Sequence, residues 1–185
     1  MSEEDRRFSE HVARWLQTSP GRPANAAIPG PGQESVWDYP RPPRLEPVAD
    51  RLRVELDGDI IAETSRGLRL LETASPPTYY FPPQDVNLDQ LARNPRRSLC
   101  EWKGEASYWT LRGQVPSLRE VAWTYETPSP AYAALAGFFA FYAGEFDACY
   151  VGEDKVLPQA GSFYGGWATW RIVGPYKGEP GTGHW

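Results

Sequence analysis

Apolar and polar residues alternate with a period of two through much of the middle of the chain, and that spacing predicts strands. Arg53 to Leu56 and Ile60 to Ala62 flank Asp57-Gly58-Asp59, a hairpin signal because glycine accepts the positive φ of a tight turn. Further strands are expected at Thr78 to Phe81, closed by Pro82-Pro83, at Tyr108 to Leu111, Val121 to Tyr125 and Ala148 to Val151, around Val156-Leu157, and at Trp167 to Val173. Leu68 to Thr73 reads as a strand or one helical turn, and Asp85 to Leu91 as a helical turn. Two stretches carry a helical period instead. Phe8, Val12, Trp15 and Leu16 predict an amphipathic helix over 5–17, stopped by Pro20 and Gly21. The alanine-rich stretch Pro130 to Tyr142 places Leu135, Phe138, Phe139 and Tyr142 on one face and predicts a short internal helix.

These elements divide the chain into an N-terminal helical segment (1–19), a proline-rich arm (20–47), a β-rich domain (48–173) and a Gly-rich tail (174–185). Eight of the 19 prolines lie in the arm, so it is extended. Trp37 and Tyr39 are its expected anchors, and it either wraps its own domain or presents a docking peptide. The fold class is mainly β: a compact open β-barrel or β-complex domain with one short internal helix. Trp102-Lys103-Gly104-Glu105 is echoed by Tyr176-Lys177-Gly178-Glu179. Nothing around the tetrads repeats, so the echo reads as coincidence.

Composition narrows the classes. A chain of 185 residues can bury one full core without staples. Net charge is −5 and no segment is strongly basic, which argues against a nucleic-acid partner. The two cysteines, Cys100 and Cys149, form no disulfide framework. The acidic start Met1-Ser2-Glu3-Glu4-Asp5 lacks the order of a signal peptide, and no run of about 18 apolar residues is present to cross a membrane. The expected compartment is the reducing cytoplasm. His11 and His184 are the only histidines and stand near the termini, so no structural zinc is expected. The sequence identifies no cofactor.

The candidate chemistry centres on Cys100 to Trp109. If Cys100 and Lys103 flank a turn, the ammonium lies near the sulfur; on a continuous strand the two side chains diverge. On a strand, Glu72 shares a face with Leu68 and Leu70 and needs a partner, for which Lys103 is the natural choice. The pair is either a structural ion pair or part of a site. Asp57-x-Asp59 could hold magnesium, but Asp and Gly are also ordinary hairpin-turn residues. Arg93, Arg96 and Arg97 either steer an anion toward Lys103 or form a solvated loop. Alternation puts Trp123 with Tyr125, Tyr108 with Thr110 and Tyr80 with Thr78. If these faces converge they line an aromatic pocket with Glu72 and Lys103 at its rim; the same residues would equally fill a barrel core.

Residues of about 48–150 resemble the microbial domain-of-unknown-function family 427, sometimes labelled nucleotidyltransferase-like. The matching residues are Val54 through Ala62, Leu70-Leu71-Glu72-Thr73, Tyr79-Tyr80-Phe81-Pro82-Pro83-Gln84-Asp85-Val86, and Cys100 with Lys103-Gly104-Glu105-Ala106-Ser107-Tyr108-Trp109. Ala122-Trp123-Thr124-Tyr125 and Ala140-Phe141-Tyr142 complete the set. The resemblance implies a mainly antiparallel β-domain of the open-barrel type seen in Mss-four-like proteins, without their zinc ligands, and no established activity. Where the family carries Cys-Pro-Tyr-Lys-Gly this chain has Cys100-Glu101-Trp102-Lys103-Gly104, with an acid beside the cysteine.

The leading expectation is a small-molecule-binding β-domain. Glu72 and Lys103 are its candidate catalytic pair, with Tyr80, Asp85, Cys100, Tyr108, Trp123 and Tyr125 as binding residues and no metal. The rival classes are a non-catalytic interaction module that uses the arm or assembles as a homo-oligomer, and a nucleotidyltransferase-like activity.

Overall fold

The computed structural model describes Arg6 and residues 21–113, 119–161 and 163–182. The amphipathic helix expected over 5–17 lies outside them apart from Arg6. The described strands are β1 (Glu34–Ser35), β2 (Arg44–Pro47), β3 (Leu52–Leu56), β4 (Asp59–Thr64), β5 (Leu68–Glu72), β6 (Ser75–Tyr80), β7 (Leu91–Cys100) and β8 (Gly104–Leu111). They continue with β9 (Ala122–Thr124), β10 (Phe139–Phe141), β11 (Ala148–Val151), β12 (Asp154–Lys155), β13 (Leu157–Pro158), β14 (Trp167–Ala168) and β15 (Ile172–Val173). The fold is mainly β, as the alternation predicts. Its sheets are open and pack like a sandwich, with spatial orders β10-β9-β8-β7, β12-β11-β3-β4 and β2-β5-β6. No helix among the described residues is long and apolar enough to cross a membrane.

The β3–β4 hairpin forms where expected. Asp57 and Gly58 take φ of 53° and 85°, as a two-residue turn with two left-handed positions requires. Leu68 to Thr73 resolves as β5, and the turn expected at Asp85 to Leu91 as two 3-10 turns, Pro83–Asp85 and Leu88–Gln90.

Period-two alternation decides which core each residue enters. In β10, Phe139 and Phe141 enter one cluster with Leu52, Val54, Ile61, Phe81 and Trp167, while Ala140 between them faces a second with Tyr80, Trp102, Tyr108 and Trp123. In β9, Ala122 joins the first and Trp123 the second. One row across the sheet pairs Tyr108 with Trp123 and Trp123 with Ala140.

Three expectations are corrected. Pro130 to Tyr142 is not one helix: a 3-10 helix over Pro130–Leu135, interrupted at Tyr132, gives way to β10. Gly137, at φ 73°, breaks the helical path, and Phe139 and Phe141 pair with Thr124 and Ala122 of β9. Sheet pairing overrides the helix propensity of the alanines. Arg93, Arg96 and Arg97 are not in a loop but within β7. They pair with Glu126, Glu120 and Glu105, and the first two stack on Trp109 and Tyr108. Trp167 to Val173 is not one strand; it is split into β14 and β15.

The proline-rich residues lie against the sheets. β1 pairs in parallel with β15, β2 adds to β5, and the Trp37 indole donates to the Pro175 carbonyl at 3.0 Å. The arm and the C-terminal segment meet at Ala74, the left-handed residue (φ 69°) that turns β5 into β6. Its N–H donates to Val36 O and its carbonyl accepts from Lys177 N.

Candidate functional site

Between the face that carries Tyr108 and Trp123 and the C-terminal segment lies a cavity of about 200 Å³. Strands supply its floor and the β7–β8 turn one wall. Glu72, Tyr80, Cys100, Lys103, Tyr108, Trp123 and Tyr125 all line it. The aromatic faces set by alternation thus converge on one cavity with Glu72, Cys100 and Lys103.

Asp85 is the exception. Pro82-Pro83 carries the chain away after β6, and the Asp85 carboxylate accepts from Thr64 Oγ1 at 2.6 Å and from Arg66 at 2.8 Å. It pins a loop and does not line the cavity.

β7 ends at Cys100, and Glu101-Trp102-Lys103 turns into β8. Gly104, at φ 94°, makes that reversal. The turn brings Lys103 within electrostatic reach of the Cys100 sulfur. The Lys103 side chain points inward, 8% exposed, with its Nζ 5.5 Å from the centre of the Tyr125 ring. Among the described residues no carboxylate comes within ion-pair distance of it. The expected partner, Glu72, is instead bound by Arg41 at 3.0 Å. The arm delivers that guanidinium, a long-range contact no local pattern encodes.

Burial alone would drive the Lys103 amine toward its neutral form. The Tyr80 and Tyr125 phenols, the Cys100 sulfur and the Glu72 carboxylate oppose this, and the balance lies well above the ordinary lysine value. That balance favours the charged amine. Burial pushes both phenols up despite the nearby ammonium, so they stay protonated and offer dipoles and ring faces. The Tyr80 hydroxyl is fully buried and makes no hydrogen bond of normal geometry; the Trp123 indole acts on it as a weak donor. Tyr108 shares a hydrogen bond of 2.7 Å with Ser98.

The other wall comes from the C-terminal segment, which period-two alternation does not point to. Gln159, Tyr164, Gly165 and Lys177 line the cavity there. Gln159, 6% exposed, ties this wall together: its amide accepts from Gly166 N at 3.1 Å and donates to Lys177 O at 2.7 Å. Gly165 lies flat on Trp123; a Cβ there would come within 2.1 Å of the ring. Lys177 stands over Tyr164 at 5.5 Å. Burial pushes its amine down, Glu72 pulls it up, Arg41 pushes it down again and Glu101 pulls it up; the balance lies below the ordinary value. The Lys-Gly-Glu echo was the one sequence signal for this residue. Nothing marks a duplication, yet both lysines reach one cavity, and Gly178 (φ 101°) turns the chain as Gly104 does.

Among the described residues no three His, Cys, Asp or Glu side chains gather as a metal site would require. Asp57-x-Asp59 sits in the β3–β4 turn, where the Asp147 carboxylate accepts from Asp57 N at 2.7 Å.

A family model described as a domain of unknown function, DUF427, matches residues 44–152, more than half of the chain. No curated protein matches it. The matched stretch includes Lys103 and the aromatic floor; Gln159, Tyr164 and Lys177 lie beyond it.

Proposed function

The chain belongs to the DUF427 family of unknown function, and because membership names no reaction, we propose from its own geometry that it binds a small anionic molecule in the cavity between Lys103 and the C-terminal wall. The supporting observation is the buried Lys103, which no carboxylate among the described residues meets at ion-pair distance. A buried charge is costly unless paired, and an anionic ligand would supply the missing partner. Tyr80, Tyr108, Trp123 and Tyr125 offer flat apolar faces and hydroxyls, the usual make-up of a small-molecule site. A volume of about 200 Å³ suits a ligand smaller than a drug. Glu72, with one oxygen held by Arg41, belongs to the wall and keeps Arg41 oriented. The reading takes the protein as a cytoplasmic ligand-binding domain and assigns no role to nucleotides.

Thermal-shift titrations with aromatic and aliphatic carboxylates and with inorganic phosphate test it. A saturable rise in Tm for wild type that disappears in Lys103→Met supports the proposal. A flat response to every anion, or an equal response in the variant, overturns it. Nucleotide with magnesium serves as the control for the nucleotidyltransferase label, and no magnesium-dependent shift is expected.

A further inference from the structure

The chain has only three lysines, Lys103, Lys155 and Lys177, against sixteen arginines. Every ion pair described on its surface uses arginine as the cation. Arginine is the better partner for a carboxylate, with a planar fork that binds two oxygens. Yet two of the three lysines line the same cavity. What lysine has and arginine lacks is an amine that can lose its proton and attack carbon.

The two amines differ in setting. Lys103 is buried among phenols and holds its charge. Lys177 is half-buried in the C-terminal wall, its backbone fixed at both ends: its N–H donates to Ala74 O and its carbonyl accepts from Gln159. Its amine is shifted toward the neutral, nucleophilic form. Glu72 acts electrostatically on both. Lys103 lies buried beside Tyr125 on one wall and Lys177 half-buried over Tyr164 on the other, so one amine is placed to hold an anion and the second to meet a carbonyl.

We propose that Lys177 captures a small 2-oxo acid with a planar apolar substituent as an imine, with Lys103 holding the carboxylate and the aromatic floor holding the substituent. The Lys177 nitrogen lone pair attacks the carbonyl carbon and the C–O π bond opens to a carbinolamine. The C–O bond then breaks as C=N forms, and the oxygen leaves with the two amine hydrogens as water. Glu72 relays the proton from nitrogen to oxygen. No oxidant or reductant is consumed. The inference rests on the anion-binding reading and names its ligand class.

The test uses phenylpyruvate with the full chain, sodium cyanoborohydride to reduce any imine, and peptide mapping by mass spectrometry. Saturable labelling confined to Lys177 is expected, with exposed Lys155 as the internal measure of non-specific reaction. Lys177→Arg keeps the charge and should remove the adduct. Lys103→Met should raise the half-saturating concentration at least tenfold while leaving Lys177 chemically competent. Labelling of Lys155 equal to that of Lys177, or labelling that does not saturate, overturns the proposal. Phenyllactate, which has the carboxylate and no carbonyl, separates the two readings. If it shifts Tm in wild type and not in Lys103→Met while phenylpyruvate leaves no adduct, the imine fails and the anion site stands. If neither compound acts, the imine fails, and the anion site is decided by the aliphatic carboxylate and phosphate titrations.

Discussion

The strands of the β7–β10 sheet have two faces with different contents. One face packs Phe139 and Phe141 against Phe81 and Trp167; Phe81 and Phe141 meet edge to face at 5.2 Å. Its polar groups find partners: the Trp109 indole donates to Thr124 Oγ1 and the Trp167 indole to Phe141 O. The other face, one residue out of phase, carries Tyr80, Tyr108, Trp123 and Tyr125 around a cavity. Apolar burial is satisfied on the first face. On the second, a phenol without a normal hydrogen bond and an ammonium without a carboxylate in contact remain. Those are costs to folding, and a fold that tolerates them on one side must draw its stability from the other.

Substitutions can break or sharpen that contrast. Phe141→Ala, at a fully buried position, should cost about 3–5 kcal/mol by urea denaturation, while the folded fraction still binds anions as wild type does. A loss below about 1 kcal/mol would erase the distinction between the faces. On the hollow side, Lys103→Met should be neutral or stabilising by on the order of 1 kcal/mol, since an apolar replacement removes a buried charge, while anion affinity falls at least tenfold. Tyr80→Phe should behave alike on a smaller scale, because it removes a buried hydroxyl without a normal partner. Its ligand-free stability should hold or rise by up to about 1 kcal/mol.

The thiols give a comparison without an energy. Cys149, buried on the filled side, is pushed up by burial and by Glu55, whereas Cys100 is partly exposed at the cavity. Iodoacetamide should label native protein at Cys100 first; equal rates would mean that the filled side opens readily. The smallest effect belongs to Asp85, outside both faces. The Arg66 and Thr64 hydrogen bonds hold its carboxyl below the ordinary value. Its contribution is therefore present above the unfolded-state pKa, about 3.9, and fades as pH falls through the lower folded value. Since Arg66 is largely exposed, Asp85→Asn should cost under about 1 kcal/mol at neutral pH and nothing once both forms are protonated.

Much of the cavity was legible because alternation fixes faces. Once Trp123 is assigned to one side of β9, Tyr125 follows, and cross-strand pairing brings Tyr108 beside them. The period failed at Pro130 to Tyr142, where Phe138, Phe139 and Tyr142 fit a helix and Phe139 and Phe141 fit a strand equally well. Only pairing with β9 decides between them. Partner choice was not legible at all. Arg41 reaches Glu72 from the arm, and Lys177 arrives because Ala74 and Gln159 hold its backbone. Such contacts join residues far apart in sequence and leave no local trace. Asp85 misled for the converse reason: its place in a family motif reflects a loop anchored to Thr64, not a lining position.

The contact of Gly165 with Trp123 has a consequence for descent. A Cβ at 165 would strike the indole, so the C-terminal wall can lie on the floor only where that position stays bare. The floor belongs to the stretch that defines the family, and the wall does not. The family match therefore covers Lys103 and the tyrosines and does not extend to the segment that carries Lys177. Kinship alone thus says nothing of the second wall.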